Sequence, residues 1–218
     1  MTKLSVLFLV LILTACAIST TEFPTQVAIL PTQTLFPPSV EPLPIGDGGL
    51  ISDQPCPSPC FFDVRIGETL LNQVVPILEN NRISPCYQFN ERIIACGDGV
   101  SAIIVGANIS TSVVEGITYY PSVSISIEEI IEKHGRPNLV QVELVGTPEA
   151  PAMSLFLLWD SIKMRIDLPE GGNIGEQNYV VERTTKVKAI TFMDDASYAE
   201  LSANGFVQPW KGYGTYKP

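Results

Sequence analysis

Apolar and polar positions change their rhythm twice along the chain. From Leu4 to Leu13 the run is apolar except for Ser5. From 17 to 46 short apolar clusters, Val27-Ala28-Ile29-Leu30 and Leu35-Phe36, lie between prolines without a period. Regular periods begin near residue 68. Leu70, Leu71, Val74, Val75, Ile77 and Leu78 recur at helical spacing and predict a helix over 68–80, with Pro76 expected to kink or shorten it. Residues 91–96 and 100–105 read as two strands around a Gly97-Asp98-Gly99 turn, and 112–120 as a third with Gly116 as a bulge. Ser126 and Glu129 form the S-x-x-E capping box of a second helix. Its apolar face is Ile127, Ile130 and Ile131; Lys133 and His134 occupy its last turn, Gly135 comes next, and Pro137 closes it. Strands resume at 139–145, 153–159 and 162–168. The last alternates with Lys163, Arg165 and Asp167 outward, after an Asp160-Ser161 turn. Residues 179–193 hold one or two more strands. Residues 195–203 fit a short final helix with Asp195 as N-cap, ended by Asn204-Gly205.

Helix then strands, and again helix then strands, predicts an α+β fold: an antiparallel sheet with two or three short helices. It also suggests a tandem helix-then-strands repeat. Aligning Val74-Val75 with Ile130-Ile131 sets an offset of 56 residues.

Charge narrows the function. The 218 residues carry 13 Lys+Arg against 23 Asp+Glu, a net charge of −10, which is the wrong sign for a nucleic-acid partner. The mean hydropathy of +0.23 is inflated by the run at 4–13. Ten helical residues reach about 15 Å, half of a ~30 Å hydrocarbon core, so that run does not span a membrane.

The residues on either side of the run explain it. Lys3 precedes it and Leu13-Thr14-Ala15-Cys16 ends it, the layout of an export signal. These four residues resemble the lipobox of bacterial lipoproteins. The resemblance implies a diacylglycerol on the Cys16 thiol, removal of residues 1–15, and usually acylation of the new amino group. It places the protein in the bacterial cell envelope, anchored to the outer face of the plasma membrane or to an outer membrane. Ala15-Cys16-Ala17 also fits ordinary secretory cleavage, so a secreted protein is the alternative. Loss of residues 1–15 removes one Lys and no acid, leaving −11. Such a body is repelled by anionic lipid, and its membrane contact runs through the lipid.

Residues 16–50 then read as the lipidated Cys and a Pro/Thr-rich stalk, and 51–218 as a single α+β domain. In an exported chain the remaining even set, Cys56, Cys60, Cys86 and Cys96, suggests disulfides. Cys86–Cys96 is favoured, because Phe89-Asn90-Glu91 can turn the chain, with Cys56–Cys60 as the default second pair. The alternative pins both early cysteines to the later two.

The stretch Ser126 to Leu168, a short helix ending in Gly-x-Pro and then a strand, D-S turn, strand hairpin, resembles small helix-plus-sheet modules of envelope proteins. The SmpA/BamE outer-membrane assembly lipoproteins and the tandem-repeat β-lactamase-inhibitor-like fold are of this type. The resemblance implies contact with another envelope protein and carries no residue roles. The longer sheet, the cysteines and the stalk depart from it.

Candidate chemistry is sparse. His134 is the sole histidine, and a helix C-terminus accounts for it through the dipole. The cysteine spacing fits no zinc motif, and no hydrolase, zincin or phosphate-loop motif occurs, so no catalytic residue, metal or cofactor is expected. The aromatics of the C-terminus, Trp210, Tyr213 and Tyr216, are a candidate binding surface if displayed; the alternative is a tail that folds back onto the sheet. The expected function is a lipid-anchored binding or scaffold protein. The rivals are an exported hydrolase and an inhibitor that binds an enzyme through a sheet face.

Overall fold

A computed structural model describes residues 47–97, 102–172, 174–203 and 206–218. The expectations for Cys16, the stalk up to 46, Asp98-Gly99 and Asn204-Gly205 lie outside the described residues. In chain order the elements are β1 (Cys60–Phe61), β2 (Val64–Arg65), α1 (Leu71–Asn80), β3 (Cys86–Asn90), β4 (Ile93–Gly97), β5 (Ala102–Ala107) and β6 (Val114–Tyr120). Next are α2 (Ile127–His134), β7 (Leu139–Thr147), β8 (Ala150–Trp159), β9 (Met164–Asp167), β10 (Tyr179–Val181), β11 (Ala189–Met193), α3 (Asp195–Ser202), β12 (Val207–Pro209) and β13 (Gly214–Tyr216). The fold is α+β and its sheets are antiparallel. The main sheet has nine strands in the order β12-β7-β8-β9-β11-β6-β5-β4-β3, larger than the helix-and-strand pattern suggested.

Local chemistry explains the boundaries. The first helix begins at Leu71 rather than 68, because Arg65 to Thr69 form a turn: the Thr69 N–H donates to Arg65 O at 2.9 Å, and Thr69 Oγ1 accepts from the Arg65 N–H at 2.8 Å. Leu70 offers no side-chain acceptor, and Gln73 Oε1 reaches back to its N–H at 3.1 Å. Pro76 does not break the helix. It sits on the exposed side, while Leu71, Val74 and Leu78 face inward, so one lost backbone bond is outweighed by the buried stripe. The capping box of α2 forms as expected, with Glu129 Oε2 accepting from the Ser126 N–H at 2.7 Å, and Gly135 ends the helix at φ 79°. For α3 the N-cap is Asp194 and not Asp195: its Oδ1 accepts from the Ser197 N–H at 2.8 Å. Lys163 turns the chain at φ 50°, so β9 starts only at Met164. Five strands carry no expectation in the sequence pattern: β1, β2, β3, β12 and β13.

Both favoured cysteine pairs are disulfides. Cys56–Cys60 closes a short loop across a sequence separation of 4, and Cys86–Cys96 joins directly opposed residues of β3 and β4 with Cα atoms 4.0 Å apart.

Strand register sorts the sheet into two faces. One row runs Cys96, Ile103, Tyr119, Ile190, Ile166, Leu157, Val140 across seven strands, each residue opposite the next. All seven are buried at 3 % exposure or less. Onto this face pack α1, α2 and the N-terminal segment, whose Phe61 ring lies 4.9 Å from Tyr119 and 6.2 Å from Phe192. That segment is anchored early: Leu50 is fully buried, and Gly48 at φ 64° lies so close to the Phe61 ring that no Cβ fits. The opposite face is covered differently. There α3 contributes Tyr198 to a small cluster with Leu158 and Met193, joined by Leu139, Leu201 and Val207.

Candidate functional site

The row beside the buried one, displaced by one residue, defines the other face. It runs Tyr87, Ala95, Ile104, Thr118, Thr191, Arg165, Leu158, Leu139. Leu158 and Leu139 lie under α3. From Tyr87 to Thr191 the side chains are partly or wholly exposed and belong to neither hydrophobic cluster. Flanking positions of the same face are Ile93, Ala102, Gly106, Gly116 and Tyr120. The named positions are therefore uncharged and largely apolar, several of them small, with the Arg92–Glu115 ion pair at 2.8 Å beside the bulge next to Gly106 and Gly116. Thr118 and Thr191 share a hydrogen bond at 3.1 Å where the two halves of the sheet meet. Tyr87 is 63 % exposed and Phe89, on the same edge strand, 73 %. The boundary toward α3 is an ion pair. Arg165 donates from Nε and Nη2 to Asp167 at 2.7 and 3.0 Å and lies 4.9 Å from the Phe156 ring. Burial pushes the Asp167 carboxyl up, against the pull of Arg165.

The C-terminal aromatics fold back. Tyr216 is buried, and its ring stacks on Trp210 with centroids 5.6 Å apart. Tyr213 meets Trp210 edge-on at 5.8 Å, and both pack against the rim of the larger cluster. Trp210 and Tyr213 keep part of their surface, so the three residues do not form a displayed aromatic patch. Trp210 and Tyr213 instead line one wall of a cleft of about 460 Å³ whose other members include Ile131, Arg136, Arg183 and Lys211. Arg183 donates to Glu128 at 2.8 Å and lies 5.1 Å from the Tyr213 ring centre. The three cations come from distant stretches of chain, which is why the sequence pattern did not single them out.

His134 has a structural task. Its Nε2 lies 2.7 Å from Leu50 O, beside a Lys133–Asp53 ion pair, and together they hold the N-terminal segment to the end of α2. Burial pushes its pKa below the usual range, so the ring is neutral near pH 7 and donates to the carbonyl. A charged histidine stabilised by the helix dipole, as the sequence position suggested, is not what this environment favours.

Cys56, Cys60 and Asp63 also lie close together, but the two thiols are joined in the disulfide and are not free ligands. Among the described residues no helix is long and apolar enough to cross a membrane. Set against known protein families, curated proteins and solved structures, the chain gives no significant match to any of the three.

Proposed function

We propose that the chain is a lipid-anchored protein of a bacterial cell envelope whose α+β body binds another protein through the open half of its sheet. One observation carries the binding reading: the uncharged, largely apolar face from Tyr87 through Ala95 and Ile104 to Thr118, which joins neither hydrophobic cluster. An antiparallel sheet with one solvated face ordinarily alternates apolar-in with polar-out. A contiguous apolar area left in water favours a partner that covers it. The resemblance of Leu13-Thr14-Ala15-Cys16 to a lipobox supports the anchoring. On this reading the body is a tandem repeat of a helix and four strands. In it, α1 with β3 to β6 and α2 with β7, β8, β9 and β11 are the two copies, joined through their last strands, β6 and β11. A partner enzyme inhibited across the sheet face is one form of the same contact.

Replacing Ile104 by a photo-crosslinking residue in cells tests the contact. A discrete adduct is expected from that position and none from the exposed turn residue Glu149. Equal or absent labelling at both positions rejects the proposed face. For the anchor, Cys16→Ser is expected to move the protein out of the detergent phase. Retention there rejects lipidation at Cys16.

A further inference from the structure

The cleft between α2 and the C-terminal tail stands apart from the open sheet face, and its chemistry is of another kind. The protein carries 13 Lys+Arg against 23 Asp+Glu, yet Arg136, Arg183 and Lys211 line this one cleft. Arg183 spends one of its five N–H donors on Glu128. Among the described residues, the side chains of Arg136 and Lys211 make no ion pair or hydrogen bond. No acid lines the cleft; acids near its rim include Glu128, paired with Arg183, and Glu132, an exposed residue whose charge reaches Tyr213. Three cations and no acid line the cleft, in a chain where acids outnumber bases overall.

The backbone that presents these cations is braced. Trp210 donates its N–H to Asn138 O at 3.1 Å, and Trp159 Nε1 donates to Gly135 O at 2.9 Å, on either side of Arg136-Pro137. Tyr216 closes the loop that carries Lys211: its hydroxyl donates to Gly212 O at 2.6 Å and accepts from the Lys211 N–H at 2.9 Å. Such bracing lowers the ordering cost of binding. The cleft's volume of about 460 Å³ suits a small molecule or the end of a larger one.

We infer that this cleft binds an oxyanion carried on an apolar or ring-bearing body. The charged end meets Arg136, Lys211 and the free donors of Arg183, and the body lies against Tyr213, Trp210 and Ile131. Guanidinium groups suit this task because their planar donors match carboxylate and phosphoryl oxygens. A soluble phosphorylated or carboxylated compound and a lipid headgroup share this chemistry.

Calorimetric titration of the full-length protein with phenyl phosphate tests the inference, with inorganic phosphate, benzyl alcohol and phenyltrimethylammonium as comparisons. Phenyl phosphate is expected to bind at least about tenfold more tightly than any of the other three, since each lacks the charge, the body or the sign. Arg136→Gln with Lys211→Gln is expected to weaken it by about tenfold or more, and raised salt weakens it further. Arg65→Gln with Arg82→Gln, which removes two exposed cations of the N-terminal segment and the end of α1, is expected to leave it unchanged. No binding of phenyl phosphate, equal binding of the cation, or equal weakening by both double variants overturns the inference. Vesicles containing phosphatidylglycerol compete with phenyl phosphate if the natural oxyanion is a headgroup, and leave it bound if the ligand is soluble; either result keeps the site.

Discussion

The two faces of the main sheet are built from the same strands and have opposite fates. Ile103 and Ile104 are neighbours on β5; one faces α1, α2 and the N-terminal segment and is wholly buried, the other joins no hydrophobic cluster. The residues across from them continue the contrast: Tyr119 and Ile190 in the core, Thr118 and Thr191 outside it. Apolar side chains on a strand therefore do not decide which face becomes core. What lies above them in the chain's own topology does. Where α3 sits, on Leu158 and Met193, the second face is core too. Where it does not, the apolar character remains without an internal partner.

The sharpest way to break this contrast is to remove a large side chain from the covered face. Phe192→Ala deletes a ring that is 1 % exposed and lies against Phe61. We expect a loss of about 3–5 kcal/mol in urea unfolding. A loss below about 1 kcal/mol means that this face is not the main core.

Next come the disulfides, which act on the covered face from its edge. Cys86–Cys96 ties β3 to β4 across a sequence separation of 10. Replacing both by Ser is expected to cost about 2–3 kcal/mol in the loop-entropy account, and Cys56–Cys60, with its separation of 4, about 2. Equilibrium unfolding of the two double variants checks the order.

How far all this could be read from the residues varies by element for physical reasons. α2 declares itself because its capping box, apolar stripe and Gly-x-Pro end agree. β9 and much of β7 and β8 declare themselves through alternation or a buried run. β3 does not, because its alternation, Tyr87-Gln88-Phe89-Asn90, is only four residues long, follows Pro85 closely and runs into Phe89-Asn90-Glu91, which reads as a turn; as an edge strand it also buries neither face. The tail strands β12 and β13 are short and interleaved with Gly and Pro, and only their pairing to β7 and β10 makes them strands. The cysteine pairs were legible from spacing. The open face was not, since period-2 patterning marks a strand's two sides but not which of them a helix covers. Nor was the basic cleft, because Arg136, Arg183 and Lys211 meet only once the tail reaches Asn138.

Smaller effects test how the covering elements are held. Ser126→Ala removes the acceptor at the start of α2 and should cost about 1 kcal/mol. His134 gives a pH signature. Its pKa is lowered in the folded state, so the unfolded chain binds more protons once the pH falls through 6.5, and stability falls with it. His134→Gln keeps a donor toward Leu50 O without that titration. The variant's stability should therefore vary less between about pH 7.5 and about pH 5.5 than that of the parent. An unchanged slope shows that the contact with Leu50 is not what the proton disrupts.

The smallest expected effect bears most directly on the open face. Ile104→Thr keeps a β-branched side chain, so strand preference is conserved and only apolar surface is traded for a hydroxyl. On the face that joins neither cluster this should change stability by no more than about 0.5 kcal/mol. The same exchange one residue earlier, Ile103→Thr, buries a hydroxyl in the core and should cost several times more. If the two substitutions destabilise equally, the second face is packed after all and cannot receive a partner. If only Ile103→Thr destabilises, Ile104 contributes little to folding. With the photo-crosslinking residue placed instead at the exposed Tyr87 of the same face, a loss of the adduct in the Ile104→Thr protein, with stability intact, then separates the cost of folding from the cost of binding.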